Sequence, residues 1–283
     1  MIARVIKFSF IAILTFVCIS CTVNPYKNGS KTEFSDSKDS VQALAKIRVI
    51  KDLNYEDFKP GTFKKEGIEL NYRFLKPQNI IKDKKYPLIL IFHGSGAIGN
   101  NNTSQMGLLS KMWLTSENRK KHPVFVLSPQ FPIRSSNYHI DEQRKVLASE
   151  SNEYSDLLFK NIDSLLQTNK NIDRDRIYVM GFSMGGSTTM NTISKRPDLF
   201  AAAINVSGIS QFDQIDHLTN LPILIVHGGL DTDNTPVSNM KFYEELKNIG
   251  KVTFWLYKDK YHNNILSNEL LESIPEWIFK YKK

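Results

Sequence analysis

The stretch Asp175-Arg176-Ile177-Tyr178-Val179-Met180-Gly181-Phe182-Ser183-Met184-Gly185-Gly186 decides the fold. Its first half, Ile177 to Met180, is a continuous apolar run, as in a strand buried on both faces. A G-x-S-x-G turn follows at Gly181 to Gly185, and Met184 to Lys195 then carries a helical pattern. A strand that turns this sharply into a helix holds Ser183 in a strained conformation with its hydroxyl exposed. Glycine is required at 181 and 185 because the strand and helix backbones approach closely there. The N–H of Met184, at the helix start, points to where charge develops on a reacting carbonyl oxygen. Ser183 is therefore the candidate nucleophile, and Met184 a candidate oxyanion donor.

The same alternation runs along the chain on both sides of this turn. Apolar runs recur at Leu88 to Phe92, Val124 to Leu127, Ala201 to Val206, Ile223 to Val226 and Val252 to Tyr257. Helical patterns separate them at Tyr154 to Leu166, Val237 to Asn248 and Asn268 to Tyr281. Buried strands alternating with amphipathic helices predict an α/β fold: a mainly parallel, doubly wound sheet covered by helices on both faces. Gly67 to Leu75 alternates apolar and polar residues, which predicts an antiparallel pair near residues 60–75 on the N-terminal edge. Ligands of such sheets bind beyond the carboxyl ends of the strands.

Two more strand ends carry the chemistry that a serine nucleophile needs. After Val226 comes His227-Gly228-Gly229-Leu230-Asp231-Thr232-Asp233, with Asp231 and Asp233 as competing acids. After Tyr257 comes the polar loop Lys258 to Asn264, which holds His262. Of six histidines, His262 alone lies on a loop after the last strand and downstream of the acid, so it is the candidate base. His227 reads as a packing residue at a strand end. After Phe92 comes His93-Gly94-Ser95-Gly96, whose small residues let a backbone N–H reach the carbonyl oxygen. Ser95 is the expected second oxyanion donor, with Gly96 as the alternative. Phe131, Ile133, Tyr138 and Trp113 are candidates for the acyl or alcohol pocket, weighed against ordinary packing. No H-x-x-x-H or paired-carboxylate spacing occurs, so no metal site is expected.

With these residues in view the chain resembles an α/β-hydrolase over about residues 60–283. It is most similar to the branch holding dienelactone hydrolases, polyhydroxybutyrate depolymerases and feruloyl esterases. The carriers are YPLILIFHGSGAIGNNN, VFVLSPQFP, DRDRIYVMGFSMGG, LPILIVHGGLDTDNTPV and YKDKYHNN. The resemblance implies a serine esterase without a cofactor, in the chain order Ser183, Asp231, His262, because H-G-x-x-D matches the family pattern at Asp231. A dienelactone hydrolase proper would use Cys where Ser183 stands, and the disulfides of secreted depolymerases are missing. The expected substrate is a short acyl or aryl-acyl ester, on a small molecule or an oligosaccharide. Two rival readings are a prolyl-oligopeptidase-type peptidase and a surface lipoprotein that binds ligands without turnover.

The N-terminus predicts export. Arg4 and Lys7 precede the uncharged apolar run Phe8 to Ile19, and Ser20-Cys21 follows. Cys18-Ile19-Ser20-Cys21 resembles a bacterial lipobox, with Cys18 where Leu is usual and Cys21 as the lipidated residue. The expected organisation is a signal peptide over 1–20, a flexible polar tether over 21–45 and a catalytic domain over 46–283. The protein would then sit, lipid-anchored, on a membrane of a bacterial cell envelope. Cys18 and Cys21 are the only cysteines, so no internal disulfide is possible beyond residue 21. Lys and Arg number 37 against 29 Asp and Glu, a net charge of +8. That excess is scattered as doublets such as Lys64-Lys65 and Lys84-Lys85, so no nucleic-acid partner is expected.

Overall fold

The computed structural model describes residues 24, 25, 27–35 and 40–283. The expected signal peptide and Cys21 lie outside the described residues. In chain order the elements are β1 (Lys31–Phe34), α1 (Val41–Asp52), β2 (Lys59–Lys65), β3 (Ile68–Leu75), β4 (Tyr86–Phe92), α2 (Leu108–Lys111) and α3 (Ser116–Lys121). They continue with β5 (Phe125–Gln130), β6 (Ser136–Asp141), β7 (Val146–Ser151), α4 (Tyr154–Thr168), β8 (Ile172–Phe182) and α5 (Met184–Lys195). The last are β9 (Ala202–Val206), β10 (Ile223–Gly228), α6 (Val237–Leu246), β11 (Val252–Tyr257) and α7 (Asn268–Ile278).

Among the described residues, nine strands form one sheet in the order β1-β11-β10-β9-β8-β4-β5-β3-β2. Pairing is parallel from β1 to β5 and antiparallel only at β5–β3 and β3–β2, the edge that the alternating Gly67–Leu75 pattern predicts. The apolar runs are strands because both faces are covered. Leu88, Leu90, Val179 and Ile225 pack toward α4, α5 and α6. Ile89, Ile91, Tyr178 and Leu224 pack toward α1, α2 and α7. The chain leaves β4 to one side for β5 and returns to its other side as β8, so the strand order reverses between β4 and β8. A crevice at the carboxyl ends of these strands is where such sheets bind ligands.

One expectation is corrected. The tether expected over 21–45 includes a strand and the start of a helix. Lys31–Phe34 pairs in parallel with Phe254–Tyr257, and α1 begins at Val41 under the Ser40 side-chain cap. The approach to β1 is bound too: Trp255 Nε1 donates to the Pro25 carbonyl at 2.7 Å and Gly29 N–H to that of Val252 at 2.6 Å. Phe34 stacks on Tyr257 with ring centroids 4.6 Å apart, so even this short polar strand half-buries an aromatic. Ser136–Asp141 and Val146–Ser151 form the antiparallel hairpin β6–β7. It lies against α5: Ser149 Oγ donates to Asn191 Oδ1 at 2.9 Å, and Asn191 Nδ2 to Ser136 Oγ at 3.0 Å. Ser135 and Thr188 hydroxyls meet at 2.7 Å.

Between sheet and hairpin, α5 is buried from Met184 to Ser194, yet it is rich in Gly, Ser and Thr. Small residues let the neighbours close in, and the hydroxyls bond within the helix. Thr188, Thr189 and Thr192 each donate to the carbonyl four residues earlier.

Candidate active site

Three strand ends converge on Ser183. It follows β8 with φ 57° and ψ −123°, a left-handed conformation that costs a non-glycine residue about 1–3 kcal/mol. The neighbours enforce it. A Cβ on Gly181 would overlap the Gly185 carbonyl, and one on Gly185 would overlap the carbonyl of Phe92 at the end of β4. Ser183 N–H donates to Val206 O at 2.9 Å, which ties the turn to β9.

His262 stands on the loop after β11, with Nε2 2.8 Å from Ser183 Oγ and Nδ1 2.7 Å from Asp231 Oδ2. Nδ1 faces a carboxylate and so carries the proton, which leaves Nε2 with a lone pair directed at the hydroxyl. The Phe182 ring packs 5.0 Å from the imidazole centroid and the His262 side chain keeps 13% exposure, enough for entry from one side.

Asp231 follows β10, and its carboxylate has no exposed surface. Oδ1 accepts from the N–H groups of Asp233 at 3.0 Å and Asn234 at 2.9 Å, while Oδ2 meets His262 and, at 3.3 Å, His227 Nε2. Burial pushes its pKa up, but hydrogen bonds from His227, His262 and Asn234 outweigh burial and hold it well below the ordinary carboxylate range. Between the two expected acids, the structure brings Asp231 to His262 and leaves Asp233 exposed, contributing a backbone N–H. The glycines of His227-Gly228-Gly229 let the histidine loop approach: a Cβ on Gly228 would overlap the Lys260 carbonyl, and Leu230 N–H donates to that carbonyl at 3.0 Å.

Ser95 opens a short 3-10 turn, Ser95–Ala97, after β4. A Cβ on Gly94 would lie 3.5 Å from Ser183 Cβ, so this turn borders Ser183. The Gly94 carbonyl is 2.8 Å from His93 Nδ1 and accepts from Ala97 N–H at 3.1 Å. In a trans peptide the N–H points opposite to the carbonyl, so Ser95 N–H faces away from His93. His93 Nε2 accepts from Phe131 N–H at 3.0 Å, which puts the ring proton on Nδ1. Burial pushes the His93 pKa down against the opposing Gly94 bond, so the ring is held neutral. The sequence reading passed over His93 and the buried partners of His227. The signal available was a His-Gly pair closing two separate apolar runs, at 93–94 and 227–228.

The expected pocket residues divide. Phe131 is buried against Phe92, His93 and Tyr154, so it supports the loop from beneath and is not open to a substrate. Trp113 is likewise buried, edge-on to Phe279 in the α7 layer. Both are large apolar side chains beside strand ends, where core space competes with the crevice. Tyr138 stands half-buried on β6, its hydroxyl 3.3 Å from Ser187 Oγ, and Arg134 lies over its ring at 5.2 Å. Ile133 is exposed. A groove of about 730 Å³ between α1 and α7 includes neither Ser183 nor His262.

The model of the family described as "Putative esterase" matches residues 66–264. Among solved structures, that of a thermostable esterase is similar with a TM-score of 0.72 and 29% identity, over 81% of this chain and 64% of that one. The chain thus spans just under two-thirds of that esterase's length. Est1E from Butyrivibrio proteoclasticus gives a TM-score of 0.56 at 16% identity, covering 78% of this chain and 98% of that one. Pyrococcus horikoshii acylaminoacyl peptidase gives 0.54 at 20% identity, covering 78% and 40%. The last two share the fold alone. No curated protein sequence matches.

Proposed function

The chain belongs to this esterase family, within the α/β-hydrolases, and on that premise we propose that it is a serine esterase working through Ser183, His262 and Asp231. The observation that carries the reading is the unbroken run Ser183 Oγ, His262 Nε2, His262 Nδ1, Asp231 Oδ2, with links of 2.8 and 2.7 Å.

Ser183 Oγ attacks the ester carbonyl carbon while its proton passes to His262 Nε2. The carbonyl oxygen becomes an oxyanion, for which the backbone N–H groups of Met184 and Ser95 are the proposed donors. Each begins a helical turn, where the first N–H groups lack an intrahelical partner. Collapse breaks the bond to the alcohol, which leaves with the proton from His262, and the acyl group stays on Ser183. Water then attacks, gives a proton to His262, and the acid departs as Ser183 regains its hydrogen. Asp231 holds the imidazole tautomer and stabilises its cation without taking the proton.

Short acyl or aryl-acyl esters are the proposed substrates. The hairpin β6–β7 packs on α5, with polar residues at Asn137, Asp141, Glu142 and Gln143, where an apolar lid would be needed to cover a long chain. Cys21 as a lipid site is part of the same proposal and fits the docked start of the chain. Four residues on from Cys21, Pro25 is already bound to Trp255, so the body would hang within about 14 Å of the lipidated residue.

The test is a panel of chromogenic esters with Ser183→Ala beside the parent protein. Turnover should fall by at least about 10³-fold with melting temperature nearly unchanged. Residual activity within about tenfold of the parent would sink the serine mechanism.

A further inference from the structure

His227 is the penultimate residue of β10, four before Asp231, and its side chain has no exposed surface. Its surroundings determine which ring nitrogen carries the proton. Nδ1 lies 2.7 Å from Asn239 Nδ2, and that same nitrogen donates to the Gly208 carbonyl at 2.8 Å. Asn239 Oδ1 accepts from Ser210 Oγ at 2.6 Å and from Asn205 Nδ2 at 3.2 Å. A reversed amide would set oxygen against the Gly208 carbonyl and nitrogen against two donors, so Asn239 donates to His227. Nδ1 is then an acceptor, and the proton sits on Nε2. Nε2 faces two acceptors, the Asn234 carbonyl at 2.7 Å and Asp231 Oδ2 at 3.3 Å.

We infer that His227 is a positioning residue for the acyl-transfer reaction: its Nε2–H, bonded to the Asn234 carbonyl and 3.3 Å from Asp231 Oδ2, holds the turn and its carboxylate in line with His262. The inference rests on the serine-esterase reading above. Oδ1 of Asp231 is occupied by two backbone N–H groups, while Oδ2 has only His262 and His227. Without His227, Oδ2 of a fully buried carboxylate loses a close N–H dipole and the turn loses its tie through the Asn234 carbonyl, so the carboxylate is aimed less firmly at the imidazole. The hydrogen bond of that N–H goes to the Asn234 carbonyl at 2.7 Å, so the ring pins the turn that carries Asp231. Asn239 also links this site to the hairpin: Ser210 bonds Asn239, its carbonyl accepts from Ser149 N–H at 2.9 Å, and Ser149 holds Asn191 of the nucleophile helix. One hydrogen-bonded run therefore seats the acid, the hairpin and α5 together.

The experiment compares the full chain with His227→Leu and His227→Gln on a short aryl ester. Leucine removes both polar poles, whereas glutamine can accept from Asn239 and donate toward Asp231. His227→Leu should lose about 10- to 100-fold in kcat, the worth of a hydrogen bond to a charged group, with KM within about twofold. His227→Gln should recover to within about fivefold of the parent kcat. A folded His227→Leu protein with kcat within about threefold, a loss carried by KM, or equal defects in both variants would overturn the inference. Should His227→Leu fail to fold, nitrogen-15 spectra of the parent histidines decide: a Nε2-protonated His227 is expected, and a Nδ1-protonated one overturns it. Ser183→Ala separates the two claims, since its activity tests the serine mechanism whatever His227 does.

Discussion

Asp231→Asn exchanges one oxygen for an NH2 and leaves shape and volume alone, so it isolates what the carboxylate does. Two of the four N–H groups that point at Asp231 are backbone, from Asp233 and Asn234, and the amide oxygen of asparagine can take both. Its NH2 then faces His262 Nδ1–H and His227 Nε2–H, donor against donor, at sites now 2.7 and 3.3 Å away. The imidazole relieves this by moving its proton to Nε2. That places N–H opposite Ser183 Oγ, where a lone pair is needed to take the hydroxyl proton. The expected loss is about 10⁴-fold in kcat, or about 5.5 kcal/mol at 1.36 kcal/mol per tenfold, with KM little changed. The backbone donors stay satisfied, but His227 Nε2–H, fixed by Asn239, still faces the NH2, so stability should fall by about 1–3 kcal/mol, several degrees in melting temperature. Asp233→Asn, on an exposed side chain, should stay within about threefold of the parent. The assay is steady-state turnover of a short aryl ester by the three proteins, with a fluorophosphonate label as a count of competent sites. A loss under about 100-fold at Asp231, or a larger one at Asp233, would refute the tautomer argument.

Gly185→Ala drives a methyl into the Phe92 carbonyl and should cost about 1–3 kcal/mol or more of stability in a denaturant melt. His93 is neutral in the fold with a lowered pKa, so the unfolded chain binds a proton that the folded one does not. Its contribution is fully present above about pH 6.5 and is lost as pH falls below it, so His93→Gln should flatten the decline in melting temperature from about pH 7 to 5. An equal slope in both proteins counts against this. Cys21→Ser should move the protein from the membrane to the soluble fraction with specific activity intact, and an unmodified N-terminus in mass spectra would rule out lipidation. Acetyl and butyryl esters should exceed palmitoyl esters in kcat/KM, since each exposed CH₂ forfeits about 0.8 kcal/mol; a tenfold palmitoyl advantage would reverse the substrate reading.

What sequence alone determined is what neighbouring residues impose on one another. Ile177–Gly186 encodes strand, turn and helix within ten positions, and the glycines are required by backbone contacts made inside that span and with β4. His262 was legible from chain order, and Asp231 from its spacing after His227-Gly228. The antiparallel edge was legible because alternation over 67–75 has a period of its own. The tertiary structure decided everything that depends on a distant partner. Lys31–Phe34 has the composition of a linker, and becomes a strand only because β11, more than 200 residues on, offers an edge and an aromatic pair. Phe131 and Trp113 point into the core, because a large apolar side chain at a strand end goes wherever packing leaves room, and that room is set by Phe92, Tyr154 and Phe279. His93 and His227 look alike in sequence, each closing a strand before glycine. One orients a carbonyl and the other faces a carboxylate, since a histidine's role follows from which proton its neighbours leave on the ring, and those neighbours meet only in the folded chain.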